Sequence, residues 1–125
     1  MEQTINDALQ QGIAAHKGGM LKEAERLYRT ILQSQPLHPD ANHNLGLIAV
    51  SVNKAEAGLP FFKIALEAKP ESEQFWLSYI DVLIKTEKFD DARQAIADAQ
   101  QAGVAVTRLL KLSEKLKLTS FSTSH

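Results

Sequence analysis

Few residues in this chain of 125 could do chemistry, and they are scattered. The four histidines His16, His38, His43 and His125 are its best ligands and proton carriers, and cysteine is absent. A divalent metal site needs donors held together, as when two histidines four residues apart share one helix face with a glutamate between them. No such pair occurs. His16, His43 and Asp81 fall on three separate segments and make a weak metal set. Gly18 and Gly19 lack the downstream lysine and hydroxyl residue of a phosphate-cradling loop. The serines gather near the C-terminus, where nothing would hold a nucleophile in place. The expectation is therefore no enzyme, no cofactor and no metal, and the chemistry left is non-covalent recognition.

Recognition needs positioned elements, and these are repeated. Ala24, Gly58 and Ala92 are small residues spaced 34 apart. Gly12 and Gly46 share that spacing, as do Pro36 with Pro70, Tyr28 with Phe62 and Ile96, and Ile31 with Ala65 and Ala99. A fixed period of this length marks a repeat architecture. Each period holds two helices of about three turns and two short turns.

The periodicity predicts helices over about 3–17, 21–34, 39–52, 53–68, 72–85 and 89–102. Gly18 and Gly19 close the first, Pro36 and Pro39 set the turn into the second unit, and Gly103 stops the last. Pro60 falls inside a predicted helix, so a late start or a slight kink is expected there. A shorter piece, about 107–118, carries the stripe Leu109, Leu112 and Leu116 and reads as a capping helix for the exposed end of the stack. Residues 119–125 show no periodicity and are expected to form a flexible tail.

The small–large–small anchors closed by proline resemble the tetratricopeptide repeat over roughly residues 5 to 106. The resemblance implies an all-α, right-handed solenoid of three helix-turn-helix units (about 5–38, 39–72 and 73–106) plus the capping helix, together one domain over 1–118. Ala24, Gly58 and Ala92, with Gly12 and Gly46 opposite, then mark the closest helix approaches. Ile80 takes the glycine's place in unit three, so that pair should be spaced differently. Tyr28, Phe62 and Trp76 read as fillers of the space between units, with a ligand platform as the alternative for an aromatic.

In this family the first helix of each unit lines a concave groove for a peptide or helix of another protein. Carried over, the groove residues are Leu9, Ile13 and His16 from unit one, Asp40, His43, Asn44 and Leu47 from unit two, and Gln74, Leu77, Ser78 and Asp81 from unit three. Asn6, Gln10, Lys17, Val50, Ile84 and Lys85 face the groove with them. The alternative for the apolar members is packing between neighbouring first helices. Family members that clamp a C-terminal carboxylate use basic and asparagine side chains. The corresponding positions here are Leu9, Ile13, Asn44, Gln74 and Ser78, and only Asn44 fits, so that ligand is not expected. Asn44 could hold a peptide backbone, or serve only the surface. The stretches 74–80 and 92–95 also look like arrays ahead of bacterial glycosyltransferase, sulfotransferase or methyltransferase domains. The alternative function is thus a substrate-recruiting or oligomerising N-terminal appendage of such an enzyme.

Fourteen basic against fifteen acidic residues leave a net charge of −1 and no electrostatic reason to expect nucleic acid or an anionic membrane as partner. Arg108, Lys111, Lys115 and Lys117 near the C-terminus read as cations stabilising a helix end. The polar N-terminus lacks the features of a secretory signal, and no apolar run approaches the roughly 18 residues that span a bilayer. A cytoplasmic protein that binds another protein or peptide, with self-assembly possible through an uncapped end, is the expectation.

Overall fold

Three residues spaced 34 apart start the first helix of each unit in a computed structural model of the chain, which describes residues 4–123. The Thr4 hydroxyl accepts from Asp7 N at 3.0 Å, His38 Nδ1 from Ala41 N at 3.1 Å, and the Ser72 hydroxyl from Phe75 N at 3.4 Å. Each satisfies one of the donors that a helix start leaves without an intrahelical partner. The elements are α1 (Ile5–Lys17), α2 (Leu21–Ser34), α3 (Pro39–Ser51), α4 (Ala55–Ala68), α5 (Glu73–Lys85), α6 (Phe89–Gln101) and α7 (Val106–Thr123). No strand occurs among the described residues. The architecture is all-α, and the chain divides into two compact units at Ala68/Lys69.

The turns inside the helix pairs repeat as well. Gly19, Asn53 and Glu87 are again 34 apart, and all three have positive φ, at 79°, 62° and 60°. The amide that follows each reaches back five residues: Met20 N to Ala15 O, Lys54 N to Ala49 O and Lys88 N to Leu83 O, each at 2.8 Å. This left-handed closure suits glycine, is tolerated by asparagine and is costly for glutamate. Glu87→Gly is therefore expected to raise stability by about 1 kcal/mol, read as a higher urea midpoint. Asn53→Gly should gain less.

In the first compact unit α1 packs on α2, α2 on α3 and α3 on α4. Its core joins Ala8, Leu9, Ala24, Tyr28, Ile31, Ala41, Leu45 and Ile48. Glycine sets the helix spacing. A Cβ at residue 12 would stand 2.5 Å from Tyr28 Cε1, and one at residue 58 would stand 3.0 Å from the Gly46 carbonyl oxygen. The α4 helix starts at Ala55 and runs on through Pro60, whose side faces solvent, so it begins later than the predicted 53. Proline has no N–H to donate one turn back along the helix, and this is the one ladder bond it removes.

In the second unit α5, α6 and α7 pack on one another. Ile80 and Ile96 occupy the registers held by glycine and an aromatic in the first unit, and Ile80 is fully buried. The α5 and α6 helices stand less closely along their length than α3 and α4, as expected where a glycine is replaced. Among the described residues of this unit the buried aromatic is Phe75, not Trp76. The Trp76 indole N–H instead donates to the Pro70 carbonyl at 2.7 Å. Asn42, one full repeat earlier, donates in the same way to the Pro36 carbonyl at 3.1 Å and to His38 O at 2.8 Å. Two unlike side chains thus hold equivalent proline turns.

The α7 helix begins at Val106 and continues to Thr123, through residues 119–123 where a tail was expected. No glycine or proline follows Gly103, so nothing in the backbone chemistry ends the helix at 118. Residues 124–125 of that expected tail, and residue 3 at the predicted start of α1, lie outside the described residues. Leu109 and Leu116 are buried while Leu112 is half-buried. The two buried leucines fall one full repeat after Phe75 and Val82, which are also buried, so α7 continues the register of a first helix.

Candidate functional site

Side chains on α1, α2 and α3 meet at a pocket of about 190 Å³ lined by Ile13, His16, Lys17, Tyr28 and Asn44. The α1 residues 13, 16 and 17 fall on one face because three- and four-residue spacing returns to the same side of a helix. Asn44 reaches the pocket from α3. Tyr28 comes from α2, and its ring crosses α1 at Gly12, the position where no side chain could stand. Ile13, His16, Asn44 and Leu47 are all half-buried, and Asp40 is exposed at the start of α3.

Three residues expected in the groove are core instead. Leu9 is 8% exposed and belongs to the hydrophobic cluster. His43 is 2% exposed, with its ring edge-on to Phe62 at 5.5 Å between centroids. Its register-mates are Leu9 and Leu77, so an imidazole here occupies a position suited to an aliphatic side chain. Ile84, also expected in the groove, is likewise buried. In each case the helix face carrying the residue turns toward a neighbouring helix.

Burial pushes the His43 imidazole below its ordinary pKa, opposed by the Asn44 side chain and the charge of Asp40. As pH falls below the ordinary value of 6.5, the unfolded chain takes up a proton that the folded one resists. The contribution is thus intact above that pH and is lost as pH drops toward the depressed native value. His43→Leu should flatten this part of the profile, measured as urea stability of both proteins between pH 5 and 7.5. An unchanged slope would mean His43 is not the group responsible.

In the second unit Leu77 of α5 and Thr107, Arg108 and Lys111 of α7 line a larger pocket of about 420 Å³. Gln74 is exposed, while Leu77, Ser78 and Asp81 are half-buried. Asp81 is engaged: Lys115 Nζ lies 2.7 Å from Oδ1 and Lys85 Nζ 3.1 Å from Oδ2. Burial alone would raise the Asp81 carboxyl, but these two lysines outweigh it and hold the pKa below its ordinary value. Arg108 Nε pairs with Glu73 Oε1 at 3.5 Å. Two α7 cations, Arg108 and Lys115, thus pair with α5 carboxylates, a role the helix-end reading missed. Lys115 follows Asp81 by one full repeat, which is the sequence signal that could have found it.

Among the described residues no group of three or more histidines, aspartates or glutamates could hold a metal ion. No helix among them is long and apolar enough to cross a membrane.

Comparison with known proteins agrees with the periodicity. The family model for the tetratricopeptide repeat matches residues 9–72 and, overlapping it, 44–103. No curated protein matches the chain. Among solved structures, Pseudomonas aeruginosa pilF superposes with a TM-score of 0.77 at 21% identity, over 95% of this chain and 55% of its own. The chain therefore spans about half the length of that protein. The first TPR of Spaghetti (RPAP3), bound to an HSP90 peptide, gives 0.80 at 13% identity over 100% of this chain and 97% of its own. The Yersinia enterocolitica type III secretion chaperone SycD, in complex with a peptide of the translocator YopD, gives 0.80 at 9% identity over 99% and 98%. At these identities the likeness is one of fold. The family match runs from residue 9 to residue 103, across the registers that glycine, proline and the left-handed turns occupy here. The chain belongs to the tetratricopeptide repeat family.

Proposed function

We propose that this chain is a protein-interaction module whose first-helix face holds an extended peptide or a helix of a partner protein. The observation that carries this reading is the pocket between α1 and α3. There Ile13, His16 and Asn44 stay partly open, with Leu47 half-buried one turn further along α3, on a face whose other members, Leu9 and His43, are packed. Apolar side chains beside an amide suit peptide docking, since the aliphatic groups take a side-chain anchor while the amide pairs with backbone. Two of the similar solved structures hold peptides, which supports the same use here. Asp40 extends the proposed surface along α3. In the second unit Gln74, Leu77 and Ser78 offer the corresponding face of α5, and Asp81 serves it by fixing α7. The near-neutral charge favours a protein over a nucleic acid as partner.

The test is selection from a displayed library of random peptides on the wild-type protein, followed by binding to an Asn44→Ala/Leu47→Asp double variant. Selected peptides should lose at least tenfold in affinity for the double variant while its melting temperature stays near wild type. Equal affinity for both proteins would place binding elsewhere.

A further inference from the structure

A groove of about 270 Å³ between α6 and α7 is lined by Arg93, Ile96, Ser113, Leu116 and Lys117. Arg93, Ser113, Leu116 and Lys117 fall two full repeats after Glu25, Leu45, Ile48 and Ala49. Those four line a pocket of about 200 Å³ in the first unit, which α4 enters with Ala57 and Phe61. Phe61 packs against the core there, its ring centroid 5.8 Å from the Arg29 guanidinium. Among the described residues no helix follows α7 to take the corresponding place beside α6 and α7.

Substitution has hollowed this copy of the groove and changed its charge. Ile96 is half-buried where Tyr28 is fully buried, and Ser113 stands at the register where Leu45 fills the core. Arg93 holds the register of Glu25, and Lys117 that of Ala49. No carboxylate lines the groove among the described residues. Arg93 pairs at 3.0 Å with Asp90, which is fully exposed. Leu110, 51% exposed, lies one turn before Ser113 and extends the apolar surface along α7. An apolar floor edged by two cations suits an apolar anchor carried beside an acidic group.

We propose that the α6–α7 groove docks an amphipathic helix of a partner protein, in the place that α4 takes in the first unit. The docked helix carries a large apolar side chain at the Phe61 position and a carboxylate at the Ala57 position, four residues earlier on the same face. A continued stack fits less well. In the first unit Gly58 sits against Gly46 and Ala49, and Glu114 and Lys117 hold those two registers on α7, which keeps a close-packed repeat helix away. The surface is separate from the first-helix face and does not depend on it.

The probe is a peptide of residues 55–68 carrying Ala57→Glu and Pro60→Ala, held helical by a staple on its solvent side. A second peptide carries Ala57→Lys instead of the glutamate. Binding is followed by NMR through the amides of Arg93, Ile96, Ser113 and Leu116 in the full chain. The acidic peptide should give saturable shifts there, and Lys117→Glu should weaken it about fivefold, since attraction becomes repulsion. The Ala57→Lys peptide should show the opposite preference, which mere damage to the fold could not produce. Ser113→Leu restores the side chain of the Leu45 register, so it should fill the groove and also weaken binding. Absence of saturable shifts on α6 and α7, equal affinity of both peptides for wild type, or undiminished binding to Ser113→Leu would overturn the proposal. Shifts confined to residues 13–17 and 44 would do the same, by returning the peptide to the first-helix face. A dimer of the protein alone in sedimentation, abolished by Lys117→Glu, would give the groove to a second copy and equally overturn it.

Discussion

Leu109→Asp is expected to unfold most of the second compact unit, costing at least about 4 kcal/mol. Leu109 is 1% exposed and anchors α7, which packs on both α5 and α6. Truncating a buried leucine alone costs about 2–5 kcal/mol, and placing an unpaired carboxylate in the space adds a desolvation penalty. The neighbouring Leu110 is 51% exposed, so Leu110→Asp should change stability by no more than about 0.5 kcal/mol. Leu112, half-buried, should fall between them. Hydrogen exchange resolves the effect by region: Leu109→Asp should release the amides of α5 and α6, and Leu110→Asp should not. If Leu109→Asp left α5 and α6 protected, α7 would not be the cap that this packing makes it.

Gly46→Ala is the second large effect, and its sign runs against helix propensity. Alanine in place of a mid-helix glycine ordinarily stabilises by about 1 kcal/mol. Here the added methyl would stand 2.7, 2.8 and 2.9 Å from three ring carbons of the fully buried Phe62. On the other helix a methyl at Gly58 would meet the Gly46 carbonyl and the Ala49 methyl, so α3 and α4 have no slack at their crossing. Overpacking a tight core costs about 1–3 kcal/mol, occasionally more. The net expectation is a loss of about 2 kcal/mol in urea denaturation. The double variant Gly46→Ala/Phe62→Leu should recover part of it, because the smaller side chain vacates the contested volume. A stabilised Gly46→Ala would show that the ring has room to move.

The helix pairs were legible because each close approach needs a small residue and each turn a breaker, and both recur with the period of the repeat. What the sequence hid was chemistry shared by unlike side chains. Asn42 and Trp76 have nothing in common as residue types, yet both donate to a proline carbonyl six residues back. Glu87 takes the left-handed turn that Gly19 advertises, so the period was present while its usual residue was not. The face of each first helix was less legible for a different reason. Leu9, Ile13 and Leu47 are alike in type, and only their rotation about the helix axis decides which is core and which is open. Tyr28 passed as a filler because its ring is one, packed against Gly12, yet the residue also lines the pocket.

The most direct test of the docking account is chemical-shift mapping of the labelled protein with a peptide selected on it. The account predicts shifts concentrated at residues 13, 16, 17, 44 and 47, on α1 and α3. Shifts concentrated instead around Arg29, Val52 and Phe61, which line a separate pocket among α2, α3 and α4, would contradict it.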